Sequence, residues 1–248
     1  MTGVHTAELS VHLATLQSPA DASPPPLGDD HVQVWQVFQP AMMPHLAEFS
    51  GSLSHSEAQR ASRFRFDKDR NQFTIARGLL RTLLGQYLGT SATEIEFAFS
   101  EKGKPSVAGP AVSNLQFNVA HSGELILLAF SRGRRLGVDI EQVRTDFATA
   151  EIADRFFSKS EVQCLRSIPA SDRHEAFFRC WTRKEAYIKA TGDGLSLPLH
   201  QFDVTLRAGE PAHLLATRPD PSEAERWAMY HLHVQPGYAA ALVVERLR

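Results

Sequence analysis

The feature of this sequence that most limits its fold is a long helical pattern in each half of the chain, flanked by short strand patterns. In residues 67–88 apolar side chains recur at helical spacing until Gly89 ends the run. A second long helix is predicted over residues 171–190, where glycines follow. Strand-like runs occupy residues 31–38, 94–99, 115–119, 125–131, 136–141, 201–206, 213–216, 228–234 and 238–244.

This distribution predicts an α+β fold. We expect two similar α/β lobes related by pseudo-twofold symmetry, each an antiparallel sheet packed with helices. The N-terminal lobe is predicted over residues 31–132 and the C-terminal lobe over residues 133–248. Residues 17–30 are rich in Pro, Ser and Asp, so residues 1–30 are predicted to form a flexible N-terminal arm.

Composition gives no global electrostatic reason to expect nucleic acid or a membrane as partner. The 248 residues carry a formal net charge of −2, and 43% of them are hydrophobic, which suffices for a sizeable core. The longest apolar run, residues 125–130, is far too short to span a bilayer. No lysine or arginine precedes Arg60, so we expect no secretory signal. Cys164 and Cys180 match no disulfide or metal pattern, which fits a reducing cytoplasm, and both are predicted to be small core residues.

Two acidic side chains share one face of a predicted strand. In residues 136–141 (LGVDIE), alternation sends the apolar residues to one face and Asp139 and Glu141 to the other. Like charges this close repel unless a cation lies near them, and an oxygen-only ligand set favours Mg²⁺ over Zn²⁺. The alternative is that both acids lie on the solvated side of an edge strand, because an exposed face tolerates charges.

A second acidic and basic pair follows in the second long helix. Trp181, Glu185 and Lys189 are separated by steps of four residues, so they lie on one stripe. Glu185 and Lys189 alone could be an ordinary helix ion pair of little energetic weight. Together with the strand acids, however, a third carboxylate completes a Mg²⁺ site, and the lysine can neutralise a phosphate. Trp181 is predicted to pack and fix the helix.

The motifs, taken in order, resemble those of 4'-phosphopantetheinyl transferases of the two-lobed, surfactin-synthetase-activating type. The two signature motifs are GVDIE at 137–141 and FRCWTRKEAYIKATGDGL at 178–195. The likeness continues in KGKP at 102–105, FNVAHS at 117–122 and RFFS at 155–158. It covers about residues 57–206.

The resemblance implies roles for the acidic motif residues. Asp139, Glu141 and Glu185 become the Mg²⁺ ligands. Lys189 contacts the coenzyme A phosphates and, with Glu185, belongs to the catalytic residues.

The resemblance also implies coenzyme A contacts in the first lobe. Lys104 and Pro105, in the G-K-P turn, lie beside the adenosine end, and His121 touches a phosphate. Lys104 could instead be an ordinary turn lysine, and His121 a strand histidine with satisfied hydrogen bonds.

The same resemblance implies a function for a cluster of arginines. Family members hold the 3'-phosphate of coenzyme A with basic residues before and on the first long helix. Arg60 and Arg77 are the main candidates, with Arg63 and Arg81 as further ones. Their planar guanidinium groups suit bidentate phosphate binding. A solvated helix face is the alternative reading of these residues.

Two positions depart from the family pattern near the expected 3'-phosphate. Ala120 replaces the serine that usually precedes the motif histidine, and Phe73 lies where relatives can offer a small hydroxyl. Both departures concern the 3'-phosphate contacts and leave the predicted metal site unaffected.

The implied reaction is attack of a carrier-protein serine on the β-phosphate of coenzyme A, with release of adenosine 3',5'-bisphosphate. Glu185 takes the serine proton directly or through a water on the metal. The partners are apo acyl or peptidyl carrier proteins, from fatty-acid, polyketide or nonribosomal-peptide synthesis. A monomer is expected by analogy, because two-lobed members carry both halves of the site in one chain.

Two rival functions are left open by the sequence. One is a metal-dependent phosphohydrolase or nuclease that uses the same carboxylates, although an aromatic and basic groove for nucleic acid is missing. The other is a degenerate scaffold that recruits carrier proteins without catalysis. Retention of all three carboxylates and Lys189 argues against the scaffold.

Overall fold

The computed structural model describes residues 9–109 and 114–246 and has the predicted α+β composition. The strands are β1 (Ser10–Leu16), β2 (His31–Phe38), β3 (Phe97–Phe99), β4 (Pro105–Val107), β5 (Leu115–Ser122), β6 (Leu125–Arg132), β7 (Leu136–Gln142), β8 (Phe202–Val204), β9 (Leu214–Thr217), β10 (Trp227–His231) and β11 (Tyr238–Glu245). The helices are α1 (Gln39–Met42), α2 (Leu46–Ser52), α3 (His55–Ser62), α4 (Asp67–Leu88), α5 (Thr149–Phe156), α6 (Lys159–Ser167), α7 (Arg173–Thr191) and α8 (Glu223–Arg226).

Among the described residues, two larger sheets form the centre of the molecule. The first sheet has the strand order β1-β2-β6-β5, and the second has the order β10-β11-β7. The second sheet is antiparallel throughout, as predicted. In the first sheet β1 runs parallel to β2, so the prediction of a purely antiparallel sheet is wrong for this half. The pairs β3–β4 and β8–β9 form separate small ladders.

Strand β6 shows how the two larger sheets face each other. Ile126 and Leu128 enter a core beneath α2 and α4, whereas Leu127 and Ala129 enter a core shared with β7 and β11. Successive side chains of a strand point to opposite faces, and here both faces are covered. This explains why the run from residue 125 to residue 130 is apolar without interruption.

The second sheet is covered in the same way. From β11, Ala241 and Val243 join a core with α5, α6 and α7, while Ala240 and Leu242 face the first sheet. The layers therefore follow the order helices, sheet, sheet, helices. A pseudo-twofold relation between the halves, and lobe limits at residues 132 and 133, stay predictions.

The predicted flexible arm over residues 1–30 is wrong for part of its length. Ser10–Leu16 forms β1 and pairs along its whole length with β2. Residues 17–30 are the crossover between these two strands, because parallel neighbours need a long connection. Leu16 is completely buried. Residues 1–8 of the predicted arm lie outside the described residues.

Two further expectations concern the cysteines and the membrane. Cys180 is a buried core residue, as predicted, and Cys164 is partly buried against the same core. Across residues 9–109 and 114–246, no helix combines the length and the apolar character that crossing a bilayer requires.

Strand β7 approaches α7 closely because residue 137 has no side chain. A Cβ atom at Gly137 would lie 2.2 Å from the carbonyl oxygen of Ala186 and 2.4 Å from the backbone nitrogen of Ala190. Only glycine permits such a close approach of two backbones. This spacing places Asp139, two residues further along the same face of β7, against the side of α7.

We predict that Gly137→Ala lowers the free energy of unfolding by about 1–3 kcal/mol or more, because the strand and the helix must separate. Urea denaturation of both proteins measures this difference. Gly51→Ala is the matched control, since none of the described atoms lies within 4 Å of its added Cβ. Equal stability of wild type and Gly137→Ala would contradict the close packing.

We also predict that Leu16→Ala lowers the free energy of unfolding by about 2–5 kcal/mol, since Leu16 is part of the first core. Leu215→Ala, at a leucine that is 58% exposed, should change it little. Thermal and urea unfolding of the two variants test whether β1 belongs to the folded body. If Leu16→Ala were as stable as wild type, the prediction of a flexible N-terminal arm would hold.

Candidate active site

The centre of the site is an ion pair between β7 and α7. The Lys189 ammonium lies 2.7 Å from Asp139 Oδ1 and also donates to the Val138 carbonyl oxygen at 3.3 Å. The Asp139 side chain is only 7% exposed, and its second oxygen, Oδ2, finds no hydrogen-bond partner in the described part of the chain. Burial raises the pKa of Asp139 to about 7, although the Lys189 charge opposes this.

Glu141 lies on the same face of β7 and is held by a serine from the neighbouring sheet. The Ser122 hydroxyl donates to Glu141 Oε2 at 2.8 Å and accepts from the Gln142 backbone N–H at 3.0 Å. Burial raises the pKa of Glu141, and the Ser122 hydrogen bond opposes the rise. Ser122 therefore connects the end of β5 to the acidic face of β7.

Glu185 projects from α7 one turn before Lys189. Burial raises the pKa of Glu185, the Lys189 ammonium opposes this, and the negative charge of Glu141 adds to it. Glu141 and Glu185 in turn help to raise the pKa of Asp139. The three predicted ligand carboxylates thus share one electrostatic neighbourhood. One turn earlier, Trp181 stacks on Phe177 with ring centroids 5.9 Å apart, which confirms its packing role.

The chemistry of these side chains suits a metal ion, but their positions in the structure do not form a metal site. Within residues 9–109 and 114–246, no three acidic, histidine or cysteine side chains converge closely enough to hold a metal ion. The donor atoms are carboxylate oxygens, which suit Mg²⁺. The buried Oδ2 of Asp139 without a partner also fits a cation, because a buried anionic oxygen is costly to leave unpaired.

Asp139, Glu141, Glu185 and Lys189 are called the acidic centre below. A cavity of about 220 Å³ is joined to it through Asn118 of the cavity lining, whose Oδ1 accepts from the Val138 backbone N–H at 2.9 Å. It brings together four residues that the sequence predicted to bind coenzyme A. Its lining consists of Arg60, Phe73, Ala76, Arg77, Leu80, Pro105, Asn118, Val119 and His121.

The two arginines of the cavity share an aromatic support. The Phe73 ring centroid lies 5.1 Å from Cζ of Arg60 and 5.9 Å from Cζ of Arg77. Arg77 also contacts Glu57 Oε1 at 3.4 Å, yet its Nη1 atom is buried without a hydrogen-bond partner among the described residues. Burial lowers the pKa of Arg77, and Glu57 opposes the shift. Phe73, which the sequence suggested as a departure, therefore supports both guanidinium groups.

The other candidate arginines do not line the cavity. Arg81 is buried: its Nε donates to Glu57 Oε2 at 2.7 Å, and its Nη1 donates to the carbonyl oxygens of Ala92 and Ile95 at 2.9 Å each. Its guanidinium group thus holds the segment after α4. Arg63 is exposed and lies outside the cavity lining.

His121 and Lys104 have different surroundings. His121 lines the cavity. Partial burial lowers the pKa of His121, and the Lys189 charge lowers it further. Lys104 is absent from the cavity lining, whereas Pro105 after it belongs to that lining. The Lys104 ammonium instead bonds to backbone carbonyls of α7 and β7.

Three side chains that support the site were not predicted from the sequence. Glu57 pairs with both Arg77 and Arg81, and the S-x-x-E capping box that it forms with Ser54 at the start of α3 is the local pattern that marks it. Ser122 belongs to the FNVAHS motif, which by itself indicates no role for it. Lys184, inside the second signature motif, is fully buried and lies 2.8 Å from Glu161. A lysine at a buried position of a helical pattern is the signal that could have singled it out.

Comparisons with known proteins agree with this arrangement. The family model described as "4'-phosphopantetheinyl transferase superfamily" matches residues 135–243, and "4'-phosphopantetheinyl transferase, N-terminal" matches residues 38–132. The chain is 37% identical over 216 residues to 4'-phosphopantetheinyl transferase HetI of Nostoc sp. (strain PCC 7120), which covers 87% of this chain and 88% of HetI. It is 30% identical over 194 residues to 4'-phosphopantetheinyl transferase Sfp of Bacillus subtilis (strain 168), covering 78% and 83%. The chain therefore belongs to the 4'-phosphopantetheinyl transferase superfamily.

Proposed function

We propose that this protein transfers the 4'-phosphopantetheine arm of coenzyme A to a serine of an apo carrier protein. The serine oxygen forms a bond to the β-phosphorus of coenzyme A, and the bond to the bridging oxygen breaks. The products are a phosphodiester-linked arm and adenosine 3',5'-bisphosphate. The names of the relatives, HetI and Sfp among them, support this reaction.

The observation that carries the proposal is the continuity between the cavity and the acidic centre. Arg60 and Arg77 lie at the cavity wall, which fits the 3'-phosphate of coenzyme A. Asn118, also in the cavity lining, accepts a hydrogen bond from the Val138 backbone N–H at 2.9 Å, and the Val138 carbonyl oxygen accepts from Lys189. A ligand with one phosphate at its nucleotide end and a diphosphate further along can therefore contact both regions at once.

The residues of the acidic centre have distinct tasks in this reaction. Lys189, now paired with Asp139, supplies positive charge to the phosphates. Glu185 accepts the proton of the carrier serine. Asp139, Glu141 and Glu185 would hold Mg²⁺, which would supply positive charge for phosphoryl transfer.

The same proposal extends to the partners and the setting of the enzyme. Arginines of the first half and carboxylates of the second half come from one chain, which supports activity as a monomer. The carrier is an acyl or peptidyl carrier domain, and polyketide or nonribosomal-peptide synthesis is the expected context. Free rather than paired cysteines support a cytoplasmic location.

The decisive experiment mixes the protein with coenzyme A, Mg²⁺ and an apo carrier protein. Intact-mass spectrometry of the carrier should show the gain of one phosphopantetheine arm. Hydrolysis of a phosphate ester without a mass gain would favour a phosphohydrolase. Binding of the carrier without any reaction would favour a scaffold.

We predict that turnover in this assay depends on the metal and on the charge of Glu141. Glu141→Gln keeps the shape of the side chain but removes a ligand charge, so turnover should fall by at least about a hundredfold. Glu225→Gln, at an exposed glutamate of α8, is the matched control and should be fully active. Undiminished turnover in excess chelator would refute the Mg²⁺ assignment.

We further predict that Arg60→Ala/Arg77→Ala raises the KM for coenzyme A by at least about tenfold, roughly 1.4 kcal/mol. Wild type should favour coenzyme A over 3'-dephospho-coenzyme A, and the double variant should treat the two alike. Turnover at saturation should change little, because the contact is remote from phosphorus and equal in ground and transition states.

Arg63→Ala/Arg65→Ala removes the same charge from residues outside the cavity lining and is the control for this double variant. It should keep the preference for coenzyme A. A double variant at Arg60 and Arg77 that still discriminates as wild type would mean that the 3'-phosphate is held elsewhere.

A further inference from the structure

Lys104 lies in a tight turn whose backbone is fixed on both sides. The turn joins β3 to β4, and Gly103 adopts a positive φ of 82° there. The Lys104 backbone N–H donates to the Ser100 hydroxyl at 3.0 Å, and its carbonyl oxygen accepts from the Ser100 backbone N–H at 3.0 Å. The start of the Lys104 side chain is therefore held in place by its own hairpin.

The ammonium group of Lys104 contacts three backbone carbonyls of the other half of the molecule. It donates to the carbonyl oxygens of Lys189 at 2.6 Å, Ala190 at 3.1 Å and Leu136 at 3.2 Å. An ammonium has three N–H donors, and these three carbonyls account for all of them. Burial lowers the pKa of Lys104 to about 8, which agrees with an amine enclosed by protein.

These carbonyls belong to the two elements that carry the catalytic ion pair. Lys189 and Ala190 lie in the last turn of α7, where carbonyl groups lack helical partners and carry partial negative charge. Leu136 opens β7, three residues before Asp139. One ammonium thus fixes the backbone on both sides of the 2.7 Å contact between Lys189 and Asp139.

We propose that Lys104 is a positioning residue, which holds the end of α7 against the start of β7 so that Lys189 and Asp139 stay aligned. This differs from the role that family resemblance implied, namely contact with the adenosine end of coenzyme A. Its neighbour Pro105 lines the cavity, so the hairpin also joins the coenzyme side to the catalytic helix. The catalytic part of the inference rests on the proposed transferase function.

The same hairpin supplies a matched control. Lys102 lies 3.2 Å from Asp193 Oδ1 and 2.7 Å from the Ser196 hydroxyl, just beyond the end of α7. Its side chain is 45% exposed and that of Asp193 is 48% exposed, so this contact should add little stability. Lys102→Met removes one charge from the same turn without touching the three carbonyls.

The first test compares Lys104→Met and Lys102→Met in the carrier-modification assay and by calorimetric titration with coenzyme A. Lys104→Met should lower kcat by about tenfold to a hundredfold, because a small displacement of a catalytic group is enough for such a loss. Its Kd for coenzyme A should stay within about threefold of wild type. Lys102→Met should change neither quantity. A tenfold weaker Kd, or an unchanged kcat, in Lys104→Met overturns the inference.

A second measurement does not need catalysis and separates this inference from the proposed function. Amide hydrogen exchange at residues 188–192 should become faster in Lys104→Met and remain unchanged in Lys102→Met, because the end of α7 loses its anchor. Unchanged exchange in Lys104→Met overturns the inference, even if the transferase assay succeeds. A failed transferase assay with faster exchange refutes only the function.

Lys104→Arg decides the question if Lys104→Met does not fold. The guanidinium keeps the charge, but its planar fork cannot place its donors on these three carbonyls in the same way. A positioning role then predicts a lower kcat with an unchanged Kd for coenzyme A. Normal kcat in Lys104→Arg overturns the inference.

Discussion

The close contact between β7 and α7 is the constraint on which the rest of the site depends. Gly137 lets the two backbones approach, so that Asp139 on the strand meets Lys189 on the helix. The other face of the same strand, with Val138 and Ile140, is held in the core between the two sheets. Because that face is fixed by apolar packing, the acidic face cannot turn away from the helix.

The contact between β7 and α7 brings negatively charged side chains together in a largely buried place. Three carboxylates share the neighbourhood of one ammonium, and burial raises the pKa of each of them. Buried charges that lack full compensation cost free energy, and added positive charge lowers that cost. In the proposed function, the same property would favour a divalent cation at this centre.

The first half of the chain places positive charge at the cavity wall, on Arg60 and Arg77. Internal ion pairs neutralise this charge only in part. Glu57 is shared between two arginines, and Arg81 donates from Nε and Nη1 to three protein acceptors. Arg77 keeps a buried nitrogen without a partner in the described residues, beside the ring of Phe73. Lys104 then connects this half to α7. The cavity arginines and the Asp139–Lys189 pair are thus parts of one packed arrangement.

Patterns along the chain determined the acidic face of β7, the stripe of α7 and the family, because strand and helix periods follow from local backbone geometry. Tertiary structure decided the rest. Residues 17–30 have the composition of a loose segment, yet pairing of Ser10–Leu16 with a distant strand makes them a crossover. Arg77 and Arg81 share one helical stripe, and only the carbonyls packed over Arg81 remove it from the cavity. Such partners come from distant parts of the chain, so no local period can encode them.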